Sequence, residues 1–449
     1  MNIISIHTSH DGSITIVKNN KLLIHTQIDR FNNIIASAMP SLKLIKKIKD
    51  LNIKFDLVLF SFLRDSCHWF WEEQLHKYNL LKKKYKFLYF EDKNHHYFHS
   101  MCAKATIGTN KYTVVIDGNG SPLKENKFEQ ETIFKNKKII YSSNKNIGWD
   151  YECKTAEILN IRIGRSFRSC GKLMALSCYD SRINKFQKRT EQLIKEIMPI
   201  KNVSYTGGVA QNVLANSQFL NYKNFKIDPL CTDQGISLGV MNHFLKGKLK
   251  LKNKVYLGFK PNYNLEIFKE YSIKNIKLYE ICKILKNNPV AIFQGRSEQG
   301  QRGLGNRSLL MDATNPKAVS LVNKIKKREW YRPFAPAILE EYAKEYYNIN
   351  KNSPYMLYVF KAKKIISSIT SIDGTSRIQT VNRKNNLHFY NLLKEFNKLY
   401  KIPLLLNTSL NLSGHTLAED LEDVYYMMKY GNLKYCYLPD IGKLLLNPR

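Results

Sequence analysis

The chain has 449 residues, 71 Lys or Arg against 37 Asp or Glu, and a formal net charge of +34. That length allows two or three domains with separate cores. The charge suits nucleic acid, an acidic membrane surface or anionic substrates, with composition drift as the competing account, since the lysines are spread along the chain. No apolar run is long enough to span a bilayer, and the eight cysteines form no Cys-x-x-Cys pair, which speaks against a zinc ribbon or a disulfide framework.

Asn2 to His7 reads as a strand, not as a signal peptide, so a cytoplasmic protein is expected, monomer or homodimer. Ser9-His10-Asp11-Gly12 is a turn and Ser13 to Val17 a second strand. Asn19-Asn20 marks a hairpin into a third strand, Leu22 to Ile28. Pro40 opens a helix with Leu44, Ile45, Ile48 and Leu51 on one face. Phe55 to Phe62 is continuously apolar, as in a buried central strand. The plan then recurs: a strand from Tyr112 to Ile116, the turn Asp117-Gly118-Asn119-Gly120, and strands at Phe128 to Phe134 and Ile139 to Ser142. Two strand–Asp-Gly–strand units suggest an internal duplication, the plan of actin-like and sugar-kinase-like ATPases.

Between the repeats lies Asn94-His95-His96-Tyr97-Phe98-His99. On a helix, His95 and His99 stand one turn apart on the same face, a suitable geometry for two imidazoles on one metal ion. Asp117, at the end of the next strand, and Asp233, in Cys231-Thr232-Asp233-Gln234-Gly235, can reach the same point. Two His and two carboxylates suit Fe²⁺, Mn²⁺ or Zn²⁺. Tyr205-Thr206-Gly207-Gly208-Val209-Ala210-Gln211-Asn212 reads as strand, diglycine turn and helix start, a shape that cradles phosphate or nucleotide.

A second domain is placed from about residue 255, dividing the chain into 1–254 and 255–449. An apolar strand, Pro289 to Phe293, leads into Gln294-Gly295-Arg296-Ser297-Glu298-Gln299-Gly300-Gln301-Arg302-Gly303-Leu304-Gly305-Asn306-Arg307-Ser308. Glycines let main-chain amides approach a ligand, and arginine forks match phosphate oxygens in pairs. The stretch reads as a pocket for a small polyanion. Asn315-Pro316 is expected to cap a helix running to about Trp330, with Lys326, Arg328 and Arg332 at and beyond its end. Asp373-Gly374-Thr375-Ser376-Arg377-Ile378-Gln379 follows, then a buried strand at Pro403 to Leu406 and Asn407-Thr408-Ser409-Leu410-Asn411.

These stretches resemble the motifs of the NodU/CmcH O-carbamoyltransferases, in order and over nearly the whole chain. The stretch from Gly295 to Ser308 resembles that family's Gly-Arg-x-Glu-x-Gly-Pro-Arg-Ala-Leu-Gly-Asn-Arg-Ser, with Gln301 for Pro and Gly303 for Ala. Gly171-Lys172-Leu173-Met174-Ala175-Leu176 resembles Gly-Lys-x-Met-Gly-Leu, with Ala175 for a glycine. Ser371 and His415 stand where the family has His and Glu. The resemblance implies a duplicated actin-like domain like that of the tRNA threonylcarbamoyl-transfer protein TsaD, followed by an α+β YrdC-like domain. It implies a divalent metal, usually iron, on His95, His99, Asp117 and Asp233. His10 or Asp11 would be the base beside it, with Lys172, Gly207, Gly208 and Asn212 against nucleotide or carbamoyl-adenylate. Carbamoyl phosphate and ATP, the latter with Mg²⁺, would be held by Arg296, Arg302, Asn306, Arg307, Lys326, Arg328, Arg332, Arg377, Ser409 and Asn411. The implied activity is ATP-dependent transfer of a carbamoyl group, through carbamoyl-adenylate, to a hydroxyl of a sugar, nucleoside or small natural product. The alternative is a nucleic-acid-binding or nucleic-acid-modifying protein, with a hydroxylated base or nucleotide as acceptor.

Overall fold

The computed structural model describes residues 1–62, 66–90, 94–122, 128–164 and 166–448, arranged as two compact units. The first comprises Met1–Leu173, Lys188–Ala215 and Asn221–Gly258; the second comprises Met174–Gln187, Asn216–Leu220 and Phe259–Arg449. The short segment from Asn216 joins the second unit through its side chains: Asn216 Nδ2 donates to Leu357 O at 2.9 Å and Ser217 Oγ to Val359 O at 3.0 Å.

The first unit holds two five-stranded sheets. One is built from β1 (Asn2–His7), β2 (Ser13–Lys18), β3 (Lys21–Gln27), β4 (Phe55–Ser61) and β5 (Leu81–Phe90), in the order β3-β2-β1-β4-β5. The other is built from β6 (Tyr112–Ile116), β7 (Glu131–Lys135), β8 (Lys138–Ser143), β9 (Val203–Thr206) and β10 (Phe225–Ile227), in the order β8-β7-β6-β9-β10. Numbered within its own sheet, each reads 3-2-1-4-5. In both, the first three strands form an antiparallel meander and the fourth and fifth add in parallel. The duplication legible in the Asp-Gly turns is therefore a duplication of topology, the actin-like and sugar-kinase-like arrangement. The hairpin chemistry repeats as well. Asn19 and Asn20 have φ of +50° and +60°, and Asn136 and Lys137 have +48° and +70°. Two left-handed central residues match the twist of the flanking strands, a position that asparagine tolerates better than other residues bearing a side chain. The strand expected at Phe128 to Phe134 starts later, at Glu131. Phe128 makes only an isolated bridge to Pro122, because the 117–122 turn precedes the ladder.

Two helices fix the site of this unit, His95–Ile107 and Ile236–Phe244. Phe98, Cys102 and Ala105 of the first pack with Ile236 and Val240 of the second and with Ile3, Leu57 and Leu59 of the sheet, all essentially buried. The helices touch backbone to backbone: a Cβ at Gly239 would collide with the Phe98 carbonyl. Asn242 Nδ2 reinforces the crossing by donating to Met101 O at 2.8 Å. A glycine at the crossing thus sets how near Asp233 lies to the histidine face.

The second unit carries a mixed eight-stranded sheet in the order β11-β20-β19-β12-β13-β18-β14-β17. Its strands are β11 (Ser272–Asn275), β12 (Val290–Phe293), β13 (Arg307–Met311), β14 (Ala335–Leu339), β17 (Gln379–Val381), β18 (Leu404–Ser409), β19 (Tyr435–Leu438) and β20 (Lys443–Leu446). A small ribbon pairs β15 (Phe360–Lys361) with β16 (Thr375–Ser376). Helices Leu278–Asn287 and Leu387–Tyr400 cover the sheet, burying Leu285, Val290, Leu310, Phe389, Leu392 and Leu405 in one core. The helix expected to run to Trp330 spans only Ala318–Lys326, and its N-cap is Lys317 rather than Asn315. Lys327 closes it in a left-handed conformation, φ +50°. The break has a consequence for the side chains. On a continuing helix Lys326 and Arg328 would point to nearly opposite sides, whereas the turned chain brings both toward one place.

Candidate metal centre and anion pocket

In the first unit, His95, His99, Asp117 and Asp233 each offer one ligand atom, and these atoms all lie within 4.8 Å of one another. His95 Nε2 and His99 Nε2 face each other at 3.2 Å. Asp117 Oδ2 lies 2.9 Å from His99 Nε2, and Asp233 Oδ1 lies 3.3 Å from His99 Nε2 and 3.4 Å from His95 Nε2. Ligand atoms about 2.1 Å from one ion stand roughly 3.0–3.4 Å apart in octahedral or tetrahedral geometry, so the set fits a single divalent cation. Asp117 is divided for this purpose: Oδ1 accepts the Gly118 N–H at 2.8 Å, while Oδ2 is turned to the imidazoles, 2.9 Å from His99 Nε2.

The electrostatics agree. Burial opposes charge on His95, but Asp233 and Asp117 outweigh it and hold its pKa up at about 10. Burial likewise opposes charge on the two carboxylates, yet the imidazoles keep both below the usual carboxylate range. The two carboxylates thus draw positive charge to this point, which imidazole protons supply in the free protein and a divalent cation would supply in their place. Two further buried histidines border the cluster: His7, with Nδ1 at 3.3 Å from Ser61 Oγ, and His96, with Nδ1 at 2.8 Å from Thr132 Oγ1. Burial pushes each down to about 3, so both are neutral at ordinary pH.

The turn after β1 brings the other reactive groups to the same place. His10 Nε2 lies 3.5 Å from Asp233 Oδ2, and His10 Nδ1 lies 3.9 Å from Asp11 Oδ2. The His10 side chain is half exposed, 52%, whereas Asp11 is buried, and Asp11 is left-handed at φ +54°. The half-exposed His10 thus stands between the buried Asp11 and the Asp233 carboxylate of the cluster. The diglycine turn lies against the same strand end. Gly207, at φ +91°, would drive a Cβ into the Ile116 carbonyl, and a Cβ at Gly208 would lie 2.9 Å from Asp117 Oδ1. Asn212 Oδ1 accepts the Ala215 N–H at 3.1 Å, a local cap, and Lys172 is half-buried.

In the second unit, the glycine- and arginine-rich stretch splits into brace and pocket. Glu298 is fully buried and accepts the N–H groups of Leu304, Asn306 and Arg307 at 2.6, 3.2 and 3.1 Å, so it shapes the loop. Arg307 is also buried and turns inward, Nη1 donating to Gln294 O at 2.6 Å with its guanidinium over Phe293. Asn306 joins the frame by donating to Arg296 O at 2.7 Å. The open positive charge comes from elsewhere. Lys326 Nζ donates to Ser409 O at 2.5 Å and Asn411 Oδ1 at 2.6 Å, and lies 3.3 Å from Ser409 Oγ. Arg328 donates to Pro333 O at 2.8 Å and lies over Phe334, and Arg332 pairs with Glu329 at 3.3 Å.

These cations repel one another. Burial, then Arg328 and Arg332, depress Lys326. Burial, then Arg332, push Arg328 down to about 9, with Arg302 adding to the effect. Burial, then Arg302, Arg328 and Arg332, depress Arg377. Residues from four separate motifs therefore converge on one strongly positive cluster, which an anion with several oxygens would relieve. Of the departures from the resembled motifs, His415 keeps a main-chain tie, its carbonyl accepting Asn411 Nδ2 at 2.7 Å, while its ring lies against Tyr426.

Residues 282–443 match the family model described as Carbamoyltransferase C-terminus. An uncharacterised protein of Methanocaldococcus jannaschii is 33% identical over 259 residues, 51% of this chain and 42% of that one. Nodulation protein U of Rhizobium tropici is 32% identical over 231 residues, 49% of this chain and 40% of that one. The matched stretches thus span less than half of these relatives' own lengths. Among solved structures, the activator of 2-hydroxyisocaproyl-CoA dehydratase from Clostridium difficile aligns over 55% of this chain and 96% of its own, at 13% identity and a TM-score of 0.33. No helix among the described residues is long and apolar enough to cross a membrane.

Proposed function

We propose that this relative of the NodU-like carbamoyltransferases is an ATP-dependent O-carbamoyltransferase with a donor site in its second unit and a transfer site in its first. The observation that carries the reading is the mutually repelling set Arg302, Arg328, Arg332 and Arg377, with Lys326 beside Arg328 and Arg332, inside the stretch that matches the carbamoyltransferase C-terminus.

Carbamoyl phosphate loses its phosphoryl group to water, leaving carbamate and phosphate. A carbamate oxygen attacks the α-phosphorus of ATP, pyrophosphate leaves, and carbamoyl-adenylate is formed. The cationic wall holds the phosphates and stabilises the charge that builds on the leaving pyrophosphate. Lys326, fixed by Ser409 and Asn411, supplies the charge nearest that pair. Arg296 and Arg302 present further guanidinium groups from the loop that Glu298 and Arg307 brace.

The adenylate is then the substrate of the first unit, where Lys172, Gly207, Gly208 and Asn212 are the residues proposed to face it. There an acceptor hydroxyl attacks the carbamoyl carbon, the C–O bond to phosphate breaks and AMP departs. His95, His99, Asp117 and Asp233 would hold the divalent metal, of which Fe²⁺ is the first choice, with Mn²⁺ or Zn²⁺ next. When bound, it supplies Lewis acidity at the carbamoyl carbonyl. Asp11, or His10 beside it, takes the hydroxyl proton. A sugar or small-molecule acceptor is the first reading. A nucleotide or hydroxylated nucleic acid is the second, favoured by the net charge of +34.

Incubation with ATP and carbon-labelled carbamoyl phosphate, against a panel of sugars, nucleotides and hydroxymethylated DNA, tests the reading. Label transferred to a hydroxyl in an ATP-dependent manner is expected. ATP-dependent phosphorylation of the acceptors, with no label transferred, would contradict it.

A further inference from the structure

The reaction turn is held by a loop that carries no motif. Asp29 is 5% exposed, and its Oδ2 accepts the Ala36 N–H at 3.1 Å. Ala36 O in turn accepts the Asp11 N–H at 3.1 Å. Both ends of this relay are unusual: Ala36 and Asp11 each sit at φ +54°, a conformation that an alanine has no side-chain reason to adopt. On the other side of the turn, a Cβ at Gly12 would lie 2.5 Å from Ala38 Cβ, and Gly12 O accepts the Ile28 N–H at 2.9 Å. Ala38 is itself fixed, its carbonyl accepting Trp71 Nε1–H at 2.8 Å. Residues 28–38 thus enclose the 10–12 turn, and the contact that sets Asp11 passes through Asp29.

We propose that Asp29 is a positioning residue for the transfer step: its buried carboxylate fixes Ala36, and Ala36 fixes the left-handed Asp11 that takes the acceptor proton. The inference rests on the reading of Asp11 as that base.

A carboxylate in this place is expensive to keep. Asp29 Oδ1 is buried without a hydrogen-bond partner among the described residues. Burial and the neighbouring Asp11 push Asp29 up to about 6, and Arg30, the Ala36 N–H and Arg168 pull the other way. A hydroxyl or a water-facing loop would close the turn at lower cost. What a short side-chain oxygen of this reach adds is a stiff, directional bond to a strained N–H. Backbone strain and a costly buried charge both converge on Asp11, which faces His10, the neighbour of Asp233. Positioning of a base matters this much because displacement of about 1 Å costs on the order of 10²-fold in rate.

The test compares Asp29→Ala, which removes the acceptor, with Asp29→Asn, whose amide oxygen restores it. Should Asp29→Ala not fold, Asp29→Ser replaces it, a polar side chain too short to reach the Ala36 N–H. Two readouts are taken. In hydrogen exchange, peptides covering residues 9–12 and 33–38 should exchange faster in the Ala or Ser variant than in wild type, and return toward wild type with Asn. In kinetics, kcat for carbamoyl transfer should fall on the order of 10²-fold with a smaller change in acceptor KM. Metal content and carbamoyl-adenylate formation should be retained, and Asn should recover most of kcat. Unchanged exchange in the Ala and Ser variants overturns the proposal, and so does a loosened turn with undiminished kcat. If Asp11→Asn transfers normally, the reading of Asp11 fails instead, and the exchange arm still decides whether Asp29 holds the turn.

Discussion

Replacing Arg328 by Ala should move stability and binding in opposite directions. In the free protein Arg328 sits among Arg302, Arg332 and Arg377, and burial with those neighbours pushes it down from the ordinary arginine value to about 9. A shift of that size corresponds to roughly 4–5 kcal/mol of penalty on its charge. Solvent screening at its partly exposed head reduces the figure severalfold. Removing the side chain also forfeits its contact with Phe334 and its bond to Pro333 O, about 1 kcal/mol each. The balance is near zero to slightly positive, so Tm without ligand should stay level or rise by a few degrees. Binding of ATP or pyrophosphate should weaken by roughly 1.5–3 kcal/mol, the worth of a hydrogen bond to a charged group, which is about 10- to 150-fold. Differential scanning calorimetry and isothermal titration calorimetry on the same preparation give both numbers. A variant that melts well below wild type yet binds ATP with unchanged affinity would refute the assignment, making Arg328 a structural residue.

Three further outcomes are expected. Wild type should purify with about one divalent ion per chain and His99→Ala should lose it; equal metal content in both would remove His99 from the cluster. Asp11→Asn keeps a residue suited to φ +54° and removes the base, so it should form carbamoyl-adenylate normally while transferring it 10²–10⁴-fold more slowly, as loss of a general base typically does. Lys326 has a depressed pKa in the folded state, so between that value and about 10.4 the unfolded chain binds more protons and stability should rise with pH. Saturating pyrophosphate should restore the lysine's charge and flatten that slope, which denaturation midpoints across the alkaline range would reveal. A slope indifferent to pyrophosphate would place the anion elsewhere.

The repeated Asp-Gly turns and apolar strands made the first unit readable because hairpin and strand signals are local, and both sheets keep the order those turns imply. The histidine pair was legible for the same reason: a one-turn spacing on a helix is a sequence-local distance. Less was legible where long-range packing decides. The chain from Lys324 to Trp330 carries strong helix formers, and nothing local announces that Lys327 turns left-handed while Lys326 and Arg328 stay in one positive cluster. Arg307 and Glu298 read like pocket residues by type, yet one is turned onto main-chain carbonyls and the other onto main-chain N–H groups. Asp29 and Ala36 gave no signal at all, since their role depends on a loop returning to a turn some twenty residues earlier, through two main-chain groups that no composition rule marks. A left-handed alanine is visible only once the backbone is drawn.

The central claim is that the second unit activates a carbamoyl group at the expense of the α–β bond of ATP, and pyrophosphate release measures this most directly. With ATP and Mg²⁺ present, adding carbamoyl phosphate to the wild-type protein should start release of pyrophosphate together with phosphate, before any acceptor is supplied. Pyrophosphate release that ignores carbamoyl phosphate, or ATP consumed to ADP instead, would contradict the account.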